Sequence, residues 1–218
     1  MKKILRLFTL ILLFTSFTGA WAQIPDQVKE VLRKSEKAME FPNGVELTTK
    51  MHVGMVVASM NGEMVICNKG EKKLLTMKMK VMGKEVNVES GFDGEKEWRY
   101  RHVDIENRKD TLFITKTTKM EKNDYDMIDF SLDKDYRKAK MKEKGPNYEI
   151  TFSDPIDKDD PSKTVMKINK ETFYIYEISA KSGIVSMRMT VNKIRKGVSD
   201  RVFVLDENKF KGAVVVRK

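Results

Sequence analysis

The stretch Leu75-Thr76-Met77-Lys78-Met79-Lys80-Val81 alternates apolar side chains with polar or charged ones. A period of two places all the apolar side chains on one face of an extended strand. The same period occurs upstream in Met51-His52-Val53-Gly54-Met55-Val56-Val57. The turn signal Met82-Gly83 directly follows the first stretch, and a further strand is predicted from Lys84 to Phe92. This region therefore predicts antiparallel strands that share one apolar face.

Turn signals recur at short intervals along the rest of the chain and predict an antiparallel meander. They are Asn61-Gly62, Asn68-Lys69-Gly70, Met82-Gly83, Asp93-Gly94, Gly145-Pro146-Asn147 and Lys181-Ser182-Gly183. The predicted strands run from Val45 to Ser59, Glu63 to Asn68, Lys72 to Val81, Lys84 to Phe92, Lys96 to His102, Thr111 to Thr117, Arg137 to Lys142, Tyr148 to Phe152, Thr164 to Ile168, Thr172 to Ser179, Ile184 to Asn192 and Arg201 to Leu205.

Helical spacing precedes the strands. From Pro25 to Glu40, apolar residues recur three or four apart, and Phe41-Pro42-Asn43-Gly44 ends the segment. Tyr125, Ile128 and Leu132 indicate a second short helix between Tyr125 and Asp135. The predicted fold is α+β: a strongly curved antiparallel sheet, or incomplete barrel, covered by one or two helices.

The composition argues against catalysis. The 218 residues include one cysteine and two histidines, which disfavours disulfides, cysteine zinc clusters and most histidine-based sites. Cys67 has no basic partner nearby in sequence, and the acidic run from Asp154 to Pro161 lacks the spacing of a calcium loop. We predict no catalytic site, no metal site and no cofactor.

The N-terminus predicts export. Lys2, Lys3 and Arg6 precede an apolar stretch, and Ala20-Trp21-Ala22 resembles a cleavage site. We therefore assign residues 1–22 to a signal peptide and residues 23–218 to one domain, soluble in the periplasm. Cleavage lowers the formal charge from +10 to +7. The remaining lysines are scattered along strands, which disfavours nucleic-acid binding and suits either anionic lipid headgroups or ordinary solvated faces.

Methionine is unusually frequent, with 15 residues, and many recur at a spacing of two. Methionine is flexible and polarisable, so it lines surfaces that adapt to varied apolar ligands, although it also fills gaps in ordinary cores. The candidate ligand-binding residues on the sheet face and the covering helix are Val28, Leu32, Met39, Met51, Met55, Met77, Met79, Trp98, Met187 and Met189.

Two segments carry a family resemblance. Phe92-Asp93-Gly94-Glu95-Lys96-Glu97-Trp98-Arg99-Tyr100 and the segment from Tyr176 to Met187 resemble hairpins of the periplasmic lipoprotein-carrier (LolA-like) family. The resemblance implies a half-barrel closed by helices over an apolar cavity. The family's Arg-Pro pair has no counterpart, because no arginine occurs between Arg33 and Arg99. The resemblance therefore implies the fold more strongly than lipoprotein shuttling.

Two functions follow as hypotheses. The first is a periplasmic carrier that holds the acyl part of a lipid or lipoprotein between sheet and helix. Such a carrier makes transient contact with a membrane or with a membrane-bound delivery or acceptor protein. The second is a non-enzymatic sensor or protein-interaction module whose interior is packed. A cavity on the methionine-rich face distinguishes the first from the second.

Overall fold

The computed structural model describes residues 24–55, 58–104, 109–118, 132 and 135–218. The predicted signal peptide lies outside these residues, as does the predicted helix around Tyr125 apart from Leu132 and Asp135. One α-helix, α1 (Asp26–Ala38), occurs in the described part of the chain, and it confirms the helix predicted from Pro25 to Glu40. Its last turn is closed by the Met39 amide, which donates to the carbonyls of Ser35 and Glu36.

Twelve strands follow α1 in the described residues. They are β1 (Val45–Met55), β2 (Ala58–Lys69), β3 (Lys72–Val81), β4 (Lys84–Phe92), β5 (Lys96–Val103), β6 (Thr111–Lys116), β7 (Tyr136–Lys144), β8 (Asn147–Pro155), β9 (Lys163–Asn169), β10 (Ile175–Ser182), β11 (Val185–Lys196) and β12 (Val214–Arg217).

All twelve strands form one open sheet in the order β12-β6-β5-β4-β3-β2-β1-β11-β10-β9-β8-β7. Strands β1 to β6 make one antiparallel meander and β7 to β11 make another. The two meanders join where β1 pairs antiparallel with β11, from Val45 opposite Lys196 to Gly54 opposite Ser186. Only β12, which lies parallel to β6, departs from the antiparallel pattern. The predicted α+β fold with an incomplete antiparallel barrel is confirmed.

Most of the predicted turns occur where the sequence places them. Met82 and Gly83 both have positive φ, 51° and 82°, as a two-residue hairpin of type I′ requires. Asn61-Gly62, in contrast, lies inside β2, so the turn predicted there is wrong. Gly62 is needed in the strand because a Cβ would lie 2.8 Å from the Lys78 carbonyl oxygen.

The C-terminal segment also differs from the prediction. The sequence predicts a strand from Arg201 to Leu205, but Asp200–Phe203 forms a 3-10 helix, capped by the Ser199 side chain. A second 3-10 helix follows at Glu207–Phe210, with Asp206 as its cap. The alternation of apolar residues is absent here, and Phe203 and Phe210 both turn inward onto the sheet. The short strand β12 was not predicted.

Three apolar clusters stabilise the sheet. Helix α1 packs on β7 to β10, where Val28, Ile150, Phe152, Met166 and Ile168 are almost completely buried. The 3-10 segments pack on the opposite face of β2, β3, β5 and β6, around Trp98 and Leu112. The third cluster lies on β1, β2, β3 and β11, with Met39 and Met77 at its margin.

Candidate functional site

The register of β1 to β5 defines two faces of the first meander. Met77 lies opposite Met64 on β2 and Val88 on β4, so these three side chains share one face. Leu75 lies on the same face, opposite Ser90. We call this the inner face, because it continues into the surface that α1 covers on the second meander. The face predicted from the methionine alternation is therefore apolar across three strands.

The inner face encloses an open cavity of about 620 Å³. This volume lies within the roughly 300–1,000 Å³ range of small-molecule sites. The cavity lies over β2 to β6 with β12 at its margin, and its inner-face lining consists of Met64, Leu75, Met77, Val88, Ser90, Glu97, Arg99, Arg101, Phe113, Thr115 and Val216. Phe113 is 46% exposed, which is unusual for a phenylalanine and leaves apolar surface uncovered.

Strand β5 adds charge to one side of the cavity. The Arg99 side chain donates to Glu97 Oε1 from Nε at 2.9 Å and from Nη2 at 2.6 Å. Glu97 is only 4% exposed, whereas the Arg99 side chain is 31% exposed, so the carboxylate is buried and the guanidinium keeps contact with water. Arg101 lies two residues further along the same face and is exposed. The cavity thus combines an apolar floor on β2 to β4 with guanidinium groups on β5.

The structure brings only part of the predicted ligand-binding set to this cavity. Met77 lines it, and Met39 packs beside it in the third cluster. Other methionines of the set share the inner face but lie nearer the hairpin ends: Met51, Met55, Met79, Met187 and Met189. Met51 and Met189 are opposite each other and both are buried, so they pack with one another.

The remaining predicted residues lie elsewhere. Val28 and Leu32 pack in the dense cluster between α1 and β7 to β10, and they do not line the cavity. Trp98 lies on the opposite face of β5, where it is 1% exposed against Phe203 and Phe210. The structure therefore places these three side chains in packed cores.

Sequence reasoning did not single out Val88, Arg99, Arg101 or Phe113. The signal was present, since Arg99 and Arg101 are two residues apart in a predicted strand and so share a face. The missing information was the register that sets this face beside Met77 and Val88. The apolar strand β3 and the arginine-bearing strand β5 line one cavity because β4 lies between them and pairs with both.

The outer face of the same strands is polar. It carries a groove of about 530 Å³, and the residues that line it include Lys50, His52, Glu63, Lys78 and Arg188, together with Met51 and Met79 of the predicted ligand-binding set. His52 is exposed and its Nδ1 lies 2.7 Å from Asn61 Oδ1. His52 therefore points away from the methionine face. These charged groups suit solvent contact, whereas an apolar ligand suits the inner face.

The other candidate reactive groups have local structural partners. Tyr100 donates to Asp110 at 2.7 Å, and His102 Nδ1 lies 2.8 Å from the same carboxylate. Burial, and then the hydrogen bond to Asp110, raises the pKa of Tyr100 to about 12. Cys67 is buried, as expected for a packed strand residue, and burial raises the pKa of its thiol to about 11. Across the described ranges, no three His, Cys, Asp or Glu side chains are grouped to hold a metal ion.

Comparison with known proteins gives structural matches alone. No family model and no curated protein matches the sequence. An uncharacterized conserved protein of Thermus thermophilus aligns over 88% of this chain and 99% of its own, with 13% identity and a TM-score of 0.49. A LolA superfamily protein of Nitrosomonas europaea aligns over 82% and 97%, with 9% identity and a TM-score of 0.39.

A third solved structure, the lipoprotein LppX of Mycobacterium tuberculosis, aligns over 78% of this chain and 96% of its own, with 11% identity and a TM-score of 0.46. Similarity at this level carries no conclusion about a ligand, which must come from the residues of this chain. Among the described residues, no helix has the length and apolar character needed to cross a membrane.

Proposed function

We propose that this protein is an exported, non-enzymatic carrier that binds the acyl part of a lipid or lipoprotein on the inner face of β2 to β6. The observation that supports the proposal most directly is the open cavity of about 620 Å³ with Met64, Leu75, Met77 and Val88 on its floor. The sequence-based hypothesis placed the ligand between the sheet and α1. The proposal moves it to the neighbouring strands, because the space beneath α1 is filled by buried side chains.

The floor suits an acyl chain on physical grounds. Methionine has an unbranched, polarisable side chain that adapts to a flexible ligand, and Phe113 adds exposed apolar surface. Transfer of each methylene out of water contributes roughly 0.8 kcal/mol, so about fifteen carbons gain on the order of 12 kcal/mol. A membrane offers a similar gain. Exchange between carrier and membrane is therefore nearly balanced, and it requires no nucleotide.

The guanidinium groups on β5 suggest the chemistry at the polar end of the ligand. Arg99 is already bound to buried Glu97, while Arg101 is exposed at the cavity side of the strand. A carboxylate or phosphate group of an amphiphile would accept hydrogen bonds from Arg101 while its chain lies on the methionine floor. Charge-assisted hydrogen bonds of this kind contribute about 1.5–3 kcal/mol each.

Two measurements test the proposal. Mass spectrometry of a lipid extract from the purified protein should detect an acyl species. Titration with a long-chain fatty acid that carries an environment-sensitive fluorophore should show saturable binding. Met77→Trp should weaken that binding at least tenfold, because the larger side chain fills the cavity. Thr76→Trp, on the other face of the same strand, is the matched control and should bind normally.

Headgroup recognition has its own test. Arg101→Gln should weaken binding of a fatty acid about tenfold or more, but leave binding of the fatty alcohol of equal chain length unchanged. Arg188→Gln, which removes a charge from the outer face, should change neither. A folded protein that contains no acyl species and binds no fatty acid would exclude the carrier and leave the protein-interaction module as the better hypothesis.

A further inference from the structure

Three hairpins end side by side at one end of the sheet. They connect β1 to β2, β3 to β4 and β10 to β11, and their strands occupy six neighbouring positions in the sheet, β4-β3-β2-β1-β11-β10. With about 4.8 Å between neighbouring strands, the three hairpins span about 24 Å. This end of the sheet presents large apolar side chains to solvent: Met55, Met82, Ile184 and Val185. We call these four residues the hairpin-tip surface.

Among these four side chains, the two in the β3–β4 and β10–β11 turns are the most exposed. Met82 is 88% exposed and Ile184 is 71% exposed. Met55 and Val185 are neighbours across the β1–β11 pairing, one step beyond Gly54 and Ser186. The tips thus carry apolar side chains on adjacent strands. Large apolar side chains exposed at one end of a sheet are typical of an interaction surface.

Met82 supplies a separate argument. It occupies the first central position of a type I′ turn, with φ of 51°, where asparagine, aspartate or glycine is favoured. A methionine here strains the backbone and gains no packing, since its side chain is almost entirely exposed. Local folding energetics therefore do not account for Met82. A contact outside the chain would account for it.

Basic side chains flank two of the three tips. Lys80, Lys84, Lys181 and Arg188 lie within four residues of the turns and are all exposed, and we call them the basic collar. Glu85 is the acid nearest to Lys84 in the same hairpin. Within the three hairpins, positive charge therefore exceeds negative charge. Apolar tips flanked by lysine and arginine match a bilayer surface with anionic headgroups, where apolar groups enter the interface and cations bind the headgroups.

The acidic loop between β8 and β9 lies next to the β10–β11 hairpin and limits which parts of this end can contact an anionic surface. The β8–β9 connection carries Asp157, Asp159 and Asp160, and Ser162 of this loop donates to the Lys181 carbonyl oxygen at 2.9 Å. An anionic surface would repel these carboxylates. The loop lies beside the collar residue Lys181, so its carboxylates oppose the attraction of the β10–β11 hairpin to such a surface.

We infer that the hairpin-tip surface and the basic collar dock this protein onto an anionic phospholipid bilayer. This inference does not depend on the acyl cavity, because no residue of the hairpin-tip surface or collar lines that cavity. In this orientation, the end of the sheet that carries the three hairpins contacts the membrane. The cavity residues Met64, Met77 and Val88 lie on the same strands or on neighbouring ones, further from that end.

Vesicle flotation tests the docking surface. The chain, purified after export so that the host has processed its N-terminus, is mixed with vesicles of phosphatidylcholine alone or with about a quarter phosphatidylglycerol. Binding should be stronger to the anionic vesicles and should weaken with salt. The double variant Met82→Asn with Ile184→Ser should bind about tenfold more weakly. Asparagine is favoured in type I′ turns, so this variant should be at least as resistant to unfolding as the wild type.

Matched controls separate docking from general effects. Val204 is 62% exposed in the 3-10 segment at the other end of the sheet, and Val204→Ser should leave vesicle binding unchanged. Lys80→Gln with Lys84→Gln should weaken binding to anionic vesicles by roughly fivefold per lysine, whereas Lys209→Gln with Lys211→Gln should not. Met77→Trp, which fills the acyl cavity, should still float with the vesicles.

Three results would overturn the inference. One is a wild-type protein that floats with neither kind of vesicle. Another is a tip variant, Met82→Asn with Ile184→Ser, that binds as well as the wild type. The last is binding only to vesicles that contain membrane proteins, which would assign the tips to a protein acceptor instead of lipid.

Discussion

Gly91 and Trp98 face each other across β4 and β5, and no other pair in the described sheet is packed so closely around a glycine. A Cβ added at Gly91 would lie 2.0 Å from Cζ2 and 2.3 Å from Cε2 of the Trp98 ring. Ordinary contacts begin near 3.4 Å. The indole therefore occupies the space of the missing side chain. Gly91→Ala forces the ring away from its neighbours Phe203 and Leu112.

The magnitude follows from this geometry. Overpacking a filled core costs typically 1–3 kcal/mol, and we expect about 3 kcal/mol because the displaced ring is 1% exposed and has no room to move. The φ of Gly91 is not positive, so alanine brings no backbone strain there. For a domain of this size, about 3 kcal/mol corresponds to a fall in Tm of about 6–12 °C.

A double-mutant cycle isolates the contact. Trp98→Leu alone should cost about 3 kcal/mol through lost packing. Gly91→Ala added to Trp98→Leu should cost close to nothing, because leucine leaves space for the methyl group. The free energies of unfolding come from urea denaturation followed by far-UV circular dichroism, since Trp98 is itself replaced. A cost of Gly91→Ala that stays near 3 kcal/mol in the Trp98→Leu background would refute the reasoning.

Two further predictions concern titratable groups. The Cys67 thiol, whose pKa burial raises to about 11, should not react with a thiol reagent at pH 8 in the folded protein, although the denatured chain should react fully. The Asp200 carboxylate accepts hydrogen bonds from Lys69 Nζ at 2.8 Å and Lys72 Nζ at 2.9 Å, which lower its pKa from 3.8 to about 2. A pKa lowered in the folded state stabilises the fold above the unfolded pKa, and this contribution disappears as the pH falls through 2. Asp200→Asn should therefore lower Tm at pH 7 and leave it equal to that of the wild type below pH 2, whereas an equal loss at both would contradict the assignment.

The strands of the first meander could be predicted because their alternation is local. In β3, the alternation of apolar and polar residues from Leu74 to Val81 is enough to assign each side chain to a face, without information from other strands. The hairpin turns could be predicted for the same reason, since Gly70, Gly94 and Gly183 all adopt the positive φ that their turns require. The turn predicted at Asn61-Gly62 is wrong because the sequence does not distinguish a glycine inside a strand from a glycine in a turn. Only the close approach to Lys78 distinguishes them.

The cavity could be predicted only in part, because pairing across the sheet is not local. Alternation within β3 gives the face of Met77, but the face of Trp98 depends on the β4–β5 register, which the sequence does not give. One residue of register exchanges the faces of a strand. With Gly91 opposite Trp98, the indole points to the 3-10 segments, and Arg99 points to the cavity. Helix α1 could be predicted from its periodicity, but its position over β7 to β10 could not.

The seam between β1 and β11 sets an order for folding. Its paired residues are 132 to 151 positions apart along the chain, from Gly54 with Ser186 to Val45 with Lys196. Each meander closes through short loops, whereas the seam must bring together the first strand and the next-to-last strand. Closing so long a loop costs entropy that local hairpins do not. We expect the two meanders to form early and the seam to form last, so that a chain emerging N-terminus first leaves the edge of β1 unpaired until nearly its whole length is available.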